Sequence, residues 1–227
     1  MRLVSFFFFF LIILSCSKEI KVEKNQITYL ALGDSYTIGE SVDEIYRWPI
    51  QLKFKLIYSD EGIPIDSVKI IAKTGWTTED LLNRINNLEI NNNYDLVSLL
   101  IGVNNQFRGY DISIYEKEFE ELLVKSIYFA KSNSKNVFVL SIPDYGVTPF
   151  GKKRDSEKIK SEIDIYNEIN FNISKKYDVM YFDITDISRL AEFDSTLLAK
   201  DMLHPSKEMY SLWVDKITDD IIENLSN

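Results

Sequence analysis

The chain contains one cysteine, Cys16, and one histidine, His204. With a single cysteine, no disulfide can close within the chain. One histidine and one cysteine leave essentially oxygen ligands, so neither a structural zinc site nor a histidine-rich catalytic metal is expected. Glycine is sparse, and no Gly-x-Gly-x-x-Gly or phosphate-loop pattern occurs. A nucleotide cofactor is therefore not expected either. Basic residues are in the minority: 26 Lys and Arg face 35 Asp and Glu, for a net charge of −9. That balance repels phosphates and excludes nucleic acid, and electrostatic docking on an anionic membrane, as expected partners. The densest basic run, Lys152-Lys153-Arg154, is followed by Asp155 and Glu157 and reads as solvated loop. No apolar run approaches the roughly 20 residues that a membrane-spanning helix needs.

The longest such run covers residues 3–14, with phenylalanine at every position from 6 to 10, behind a positive Met1-Arg2 start. Its length fits the apolar region of an export signal. Ile13-Leu14-Ser15-Cys16 then resembles the cleavage and lipidation box of bacterial lipoproteins, with Cys16 as the acylated residue. A plain cleaved signal with an incidental cysteine is the alternative. The expected organisation is a signal peptide over 1–15, a polar tether over 16–26, and one domain over 27–227. The expected location is the bacterial cell envelope, with a lipid anchor in the membrane and the domain monomeric.

What remains is ordinary globular composition: 45% apolar and 27% charged residues, enough for one α/β core. Strand-like segments at 27–32, 68–72, 96–101, 137–142 and 179–184 alternate with helix-like segments at 48–58, 77–88, 114–131, 157–175 and 207–225. Leu-Val-Ser-Leu-Leu-Ile at 96–101 is almost continuously apolar, as a strand covered on both faces should be. The alternation predicts a three-layer α/β/α domain around a five-stranded parallel sheet. No repeat interrupts it, and residues 186–201 read as a long loop with room for a short helix.

In such a sheet, ligands bind beyond the carboxyl ends of the strands. The residues there are Gly33-Asp34-Ser35, Thr74-Gly75-Trp76, Gly102-Val103-Asn104-Asn105, Pro143-Asp144-Tyr145-Gly146 and, after the last loop, Asp201-Met202-Leu203-His204. They supply the parts of acyl transfer. Ser35 is a candidate nucleophile, and His204 is the only histidine that could take its proton. Asp201, three residues earlier, can reach Nδ1 within one turn of chain and leave Nε2 free. The N–H groups of Ser35 and Gly75 and the side-chain amide of Asn104 are candidate oxyanion donors. Each piece alone has a blander reading: Ser35 as a helix cap, His204 as structural, Gly75 and Asn104 as loop residues.

Taken in order, the pieces resemble the blocks of the SGNH (GDSL-like) hydrolases: Gly33-Asp34-Ser35, then Gly75, then Gly102-x-Asn104, then Asp201-x-x-His204. The resemblance spans residue 27 to the C-terminus. It implies a flavodoxin-like fold and a serine-dependent esterase or acylhydrolase with a Ser35-His204-Asp201 triad and no cofactor. One position departs from the pattern: Asn105 stands where the family usually carries aspartate, which marks it as a supporting residue. Trp76 and Phe150 are candidate apolar walls for a small ester substrate, an acylated glycan or a lipid. A glycan-binding module that keeps the fold without turnover is the competing reading, and an intact triad argues against it.

Overall fold

The computed structural model describes residues 26–226. The expected signal segment, Cys16 and nearly all of the expected tether lie outside the described residues.

Five strands form one parallel sheet in the order β2-β1-β3-β4-β5, with β1 at Ile27–Gly33, β2 at Ile65–Ala72, β3 at Leu96–Leu100, β4 at Val137–Leu140 and β5 at Met180–Phe182. The core strands β3 and β4 are buried at every position, which is why their sequences run apolar without alternating. The helices are α1 (Ser35–Ile38), α2 (Trp48–Ile57), α3 (Thr78–Asn86), α4 (Val103–Phe107), α5 (Ile112–Phe129), α6 (Ser156–Lys176), α7 (Thr185–Arg189) and α8 (Lys207–Ser226).

Right-handed crossovers fix which face each helix covers. The chain moves from β1 outward to β2, then reverses across β1 to β3, β4 and β5. The first connecting helix, α2, therefore covers one face, and α3, α5 and α6 cover the other. The final helix α8 returns to pack on α2, and α5 packs against both α3 and α6. The spacing of buried residues explains the first contact. α2 buries Trp48, Leu52 and Leu56, and α8 buries Met209, Trp213, Ile217 and Ile221, each at every fourth position.

The long elements follow the sequence expectation to within a few residues. Two short helices do not. α1 and α4 occupy the strand ends that the pattern reads as loops, while α7, beginning at Thr185, is the short helix for which the loop left room. A helix of four or five residues carries no readable period; its packing creates it. The fifth strand is also shorter than expected, spanning Met180–Phe182 and pairing only with β4.

Register brings the functional ends level. Gly33 at the top of β1 is aligned with Ala72 on one side and Leu100 on the other. A side chain at Gly33 would run into the carbonyl of Leu100 and the Thr37 side chain, so only glycine lets the ends of β1 and β3 and the start of α1 sit this close. The direction of winding reverses between β1 and β3, and a crevice opens at their carboxyl ends.

Candidate active site

Ser35 is the first residue of α1, directly after β1. The Asp34 carboxylate accepts a 3.0 Å hydrogen bond from the Tyr36 N–H, capping this short helix. Ser35 is almost buried, at 5% exposure. Asp34 is more so, and its second oxygen, Oδ2, has no hydrogen-bond partner among the described residues. Burial pushes the Asp34 carboxyl up to about 7, against the lowering effect of the bond from Tyr36.

Asp201 and His204 meet as the spacing predicts. His204 Nδ1 lies 2.6 Å from Asp201 Oδ2. The turn between them is built to hold that contact: Met202 adopts a left-handed φ of 58°, and Asp201 Oδ1 accepts from the backbone N–H of Leu203 at 3.0 Å and of His204 at 2.9 Å. The His204 carbonyl accepts from the Ala199 N–H at 2.7 Å, which ties the turn to the preceding loop. Ser41 completes the carboxylate's set, donating to Oδ2 at 2.7 Å. Partial burial alone would raise the Asp201 pKa, but the bonds from Ser41, from the His204 backbone and ring, and from Leu203 outweigh it and bring it to about 2. An ionised carboxylate can only accept, so the proton on that hydrogen bond belongs to Nδ1 and the Nε2 lone pair is left available.

Gly75 has a φ of +84°, and a Cβ there would meet only Arg108 Nη2, at 3.7 Å. Conformation, not space, requires glycine. Its carbonyl accepts from Arg108 Nη2 at 2.5 Å, fixing the peptide. Asn104, on α4, uses Nδ2 to donate 2.9 Å to the Trp76 carbonyl. An amide nitrogen carries two hydrogens, so this bond orients the side chain and leaves a second N–H for a ligand.

Asn105 is fully buried and faces away from this group. Its Oδ1 accepts from the Thr78 N–H at 3.0 Å, and its Nδ2 donates to the Thr78 hydroxyl at 2.7 Å. That hydroxyl in turn donates to Glu118. The residue is a strut between α4, α3 and α5.

One pocket collects these parts. Ser35, Gly75, Asn104 and His204 line it together with Tyr36, Thr74, Val103, Phe107, Tyr145, Phe150 and Leu203, around a volume of about 170 Å³. Ser35 and His204 share it, with no hydrogen bond between Ser35 Oγ and the imidazole among the described residues. Phe150 lines the pocket as expected from sequence. Trp76 does not: its ring packs half-buried against the core, and its contribution is the carbonyl that holds Asn104. Sequence reasoning missed Ser41 and Phe107. Phe107 had a readable cue, standing three residues beyond Asn104. Nothing in the sequence linked Ser41 to Asp201, 160 positions away.

Comparison with known proteins bears on the family and the fold. The GDSL-like lipase/acylhydrolase family matches residues 31–212. No curated protein matches the chain. Among solved structures, the psychrotrophic esterase EstA from Pseudoalteromonas sp. superposes with a TM-score of 0.62 at 21% identity, covering 88% of this chain and 99% of its own. A lipase/acylhydrolase from Enterococcus faecalis gives 0.62 at 21% identity, over 87% and 96%. An acetyl xylan esterase from Geobacillus stearothermophilus gives 0.62 at 19% identity, over 86% and 94%. At such identities the likeness to these structures is one of fold.

Proposed function

The chain belongs to the GDSL-like lipase/acylhydrolase family and is a carboxylic ester hydrolase, and from that premise we propose that it cleaves esters with a Ser35-His204-Asp201 triad. The observation that carries this reading is the Asp201–His204 pair, 2.6 Å apart, opening onto the pocket that Ser35 lines.

The chemistry follows from the proton positions. His204 Nε2 takes the hydroxyl proton as Ser35 Oγ bonds to the acyl carbon. The carbonyl oxygen becomes an oxyanion and accepts from the Ser35 N–H, the Gly75 N–H and the free N–H of Asn104 Nδ2. The Ser35 N–H is available because the first amides of a helix have no partner within it. The imidazolium, stabilised by ionised Asp201, then gives its proton to the departing alkoxide, and the alcohol leaves. Water attacks the acyl-serine, again losing a proton to Nε2, and the carboxylic acid departs as Ser35 recovers its hydrogen. Only neutral imidazole can begin either half, so acidification that protonates His204 stops turnover.

A fluorophosphonate reagent tests the assignment directly. It is expected to add once, on Ser35, and to block hydrolysis of p-nitrophenyl butyrate. Ser35→Ala is expected to fold, escape labelling and lose nearly all activity. Substantial turnover by that variant would overturn the assignment.

The reading extends to location. The apolar run at 3–14 and Ser15-Cys16 support lipid attachment at Cys16, with the catalytic domain tethered at a bacterial envelope membrane. Cys16→Ala is expected to abolish incorporation of labelled fatty acid in a bacterial host. Wild-type protein that takes up no label would refute the anchor and leave the catalytic assignment untouched.

A further inference from the structure

The pocket beside Ser35 ends in a wall of rings. Phe107 lies 6.1 Å from Tyr145 and 6.0 Å from Phe150, centroid to centroid, and Tyr145 lies 6.2 Å from Phe150. Three mutual contacts of this length pack the rings against one another along one side of the pocket. Arg154 fastens it. Its guanidinium sits 3.9 Å over the Phe150 ring and 5.3 Å over the Phe107 ring, while Nη1 donates 3.1 Å to the Phe150 carbonyl. Arg154 does not line the pocket, so it clamps the two rings from their outer side. Val103 and Leu203 complete an apolar lining.

Stereochemistry says which part of an ester enters. The attacked carbon carries four groups in the tetrahedral state. Ser35 Oγ is one. The oxyanion turns to the donors at Ser35, Gly75 and Asn104. The leaving oxygen must face His204 Nε2 to receive its proton. The acyl chain takes the remaining direction, toward the side built by α4 and the loop after β4, where Val103, Phe107, Tyr145 and Phe150 stand. An apolar chain gains by leaving water there, whereas the alcohol keeps access to solvent.

Size then sets a limit. The pocket measures about 170 Å³. An apolar cavity of roughly 150 Å³ holds one benzene, six carbons. We propose that the ring triangle is an acyl-length gauge that restricts this enzyme to esters of short acids, from acetyl to about hexanoyl, and excludes the long acyl chains of membrane lipids. The proposal rests on the esterase reading with Ser35 as nucleophile.

The test is a series of p-nitrophenyl esters, acetate through decanoate, with the full chain. Each methylene buried up to hexanoate is expected to raise kcat/KM by about fourfold. Octanoate and decanoate, which must force the rings apart, are expected to fall roughly tenfold or more below hexanoate. Phe150→Ala and, separately, Phe107→Ala open the wall. Each is expected to raise the octanoate-to-butyrate ratio of kcat/KM by about tenfold. Phe107 is 46% exposed, so at least that variant keeps its fold. A wild-type enzyme that cleaves decanoate as well as butyrate, or two folded variants with an unchanged ratio, would overturn the gauge. No turnover of any ester, together with no fluorophosphonate on Ser35, would instead overturn the esterase reading beneath it.

Discussion

Asn104 and Ser41 are the residues where a single hydrogen bond matters most. Asn104 spends one amide hydrogen on the Trp76 carbonyl and so holds the other in a fixed direction. A fixed donor stabilises charge as it develops and does little for a neutral carbonyl. Asn104→Ala is expected to lower kcat by about 10²–10³ with KM nearly unchanged. Steady-state kinetics check this, and a rise in KM at constant kcat would contradict it. Ser41 acts at one remove, since its hydroxyl reaches Asp201 and not the substrate. Ser41→Ala leaves the Asp201–His204 contact with one fewer support, so a several-fold drop in kcat is expected, of the order of one lost charge-assisted hydrogen bond. Ser41→Asn tolerates the left-handed φ of 65° at this position and carries an amide donor, and should recover part of the loss. A pair of variants that behave alike would assign Ser41 a purely structural part.

At the scale of elements, the site depends on struts between short helices. Asn105 on α4 joins Thr78 at the start of α3, and Thr78 donates its hydroxyl to Glu118 on α5. The direction of each donor explains asparagine at a position where aspartate is the family habit. A carboxylate at 105 would compete with Glu118 for the one Thr78 hydroxyl hydrogen. Two buried or half-buried carboxylates cannot both be satisfied by it. Asn105→Asp is therefore expected to destabilise the fold, lowering Tm at pH 8 by several degrees, and to recover part of the loss at pH 5 as one carboxyl takes a proton. Thermal melts at the two pH values decide it. Sequence pattern alone suggests that restoring aspartate is mild; the buried strut reverses that expectation. α3 itself is better insulated, since a capping box between Thr77 and Asp80 secures its start.

Over the whole molecule, two acidic groups, buried Asp34 and half-exposed Asp201, tilt stability with pH in opposite senses. Asp201 has its pKa held at about 2 in the folded protein, below the unfolded value of 3.8. Its contribution is full above the unfolded value and is lost as pH falls through the folded one. Asp34 is raised to about 7. Its contribution is full below 3.8 and is lost as pH rises toward and through 7. Tm is thus expected to climb from pH 2 to about 4 and then to lose ground toward pH 8. Asp34→Asn keeps an acceptor for the Tyr36 N–H and carries no charge, so it should flatten the neutral limb. Asp201→Asn should flatten the acid limb and cripple catalysis. Calorimetry across pH 2–9 tests both, and an Asp34→Asn protein with the wild-type slope between pH 5 and 8 would contradict the assignment.

The sequence by itself determined the sheet and the family motifs. Alternating apolar segments of strand and helix length can bury their faces in few ways, so the five parallel strands and their covering helices were legible. The motif residues were legible because chemistry restricts them: one histidine, an aspartate three residues before it, and a serine and an asparagine at strand ends. What only the tertiary structure decided were interactions between residues distant in the chain. Ser41 meets Asp201, Asn105 meets Thr78, Phe107 meets Phe150, and the Trp76 ring turns to the core while its carbonyl serves Asn104. Such contacts carry no periodicity, because each is set by loop closure and by side-chain packing after the strands have aligned. The short helices α1 and α4 belong with them. Too brief to show a repeat, they are held by packing at the strand ends, with a side-chain cap on α1 alone of the two, and they aim the residues that the sequence could only name.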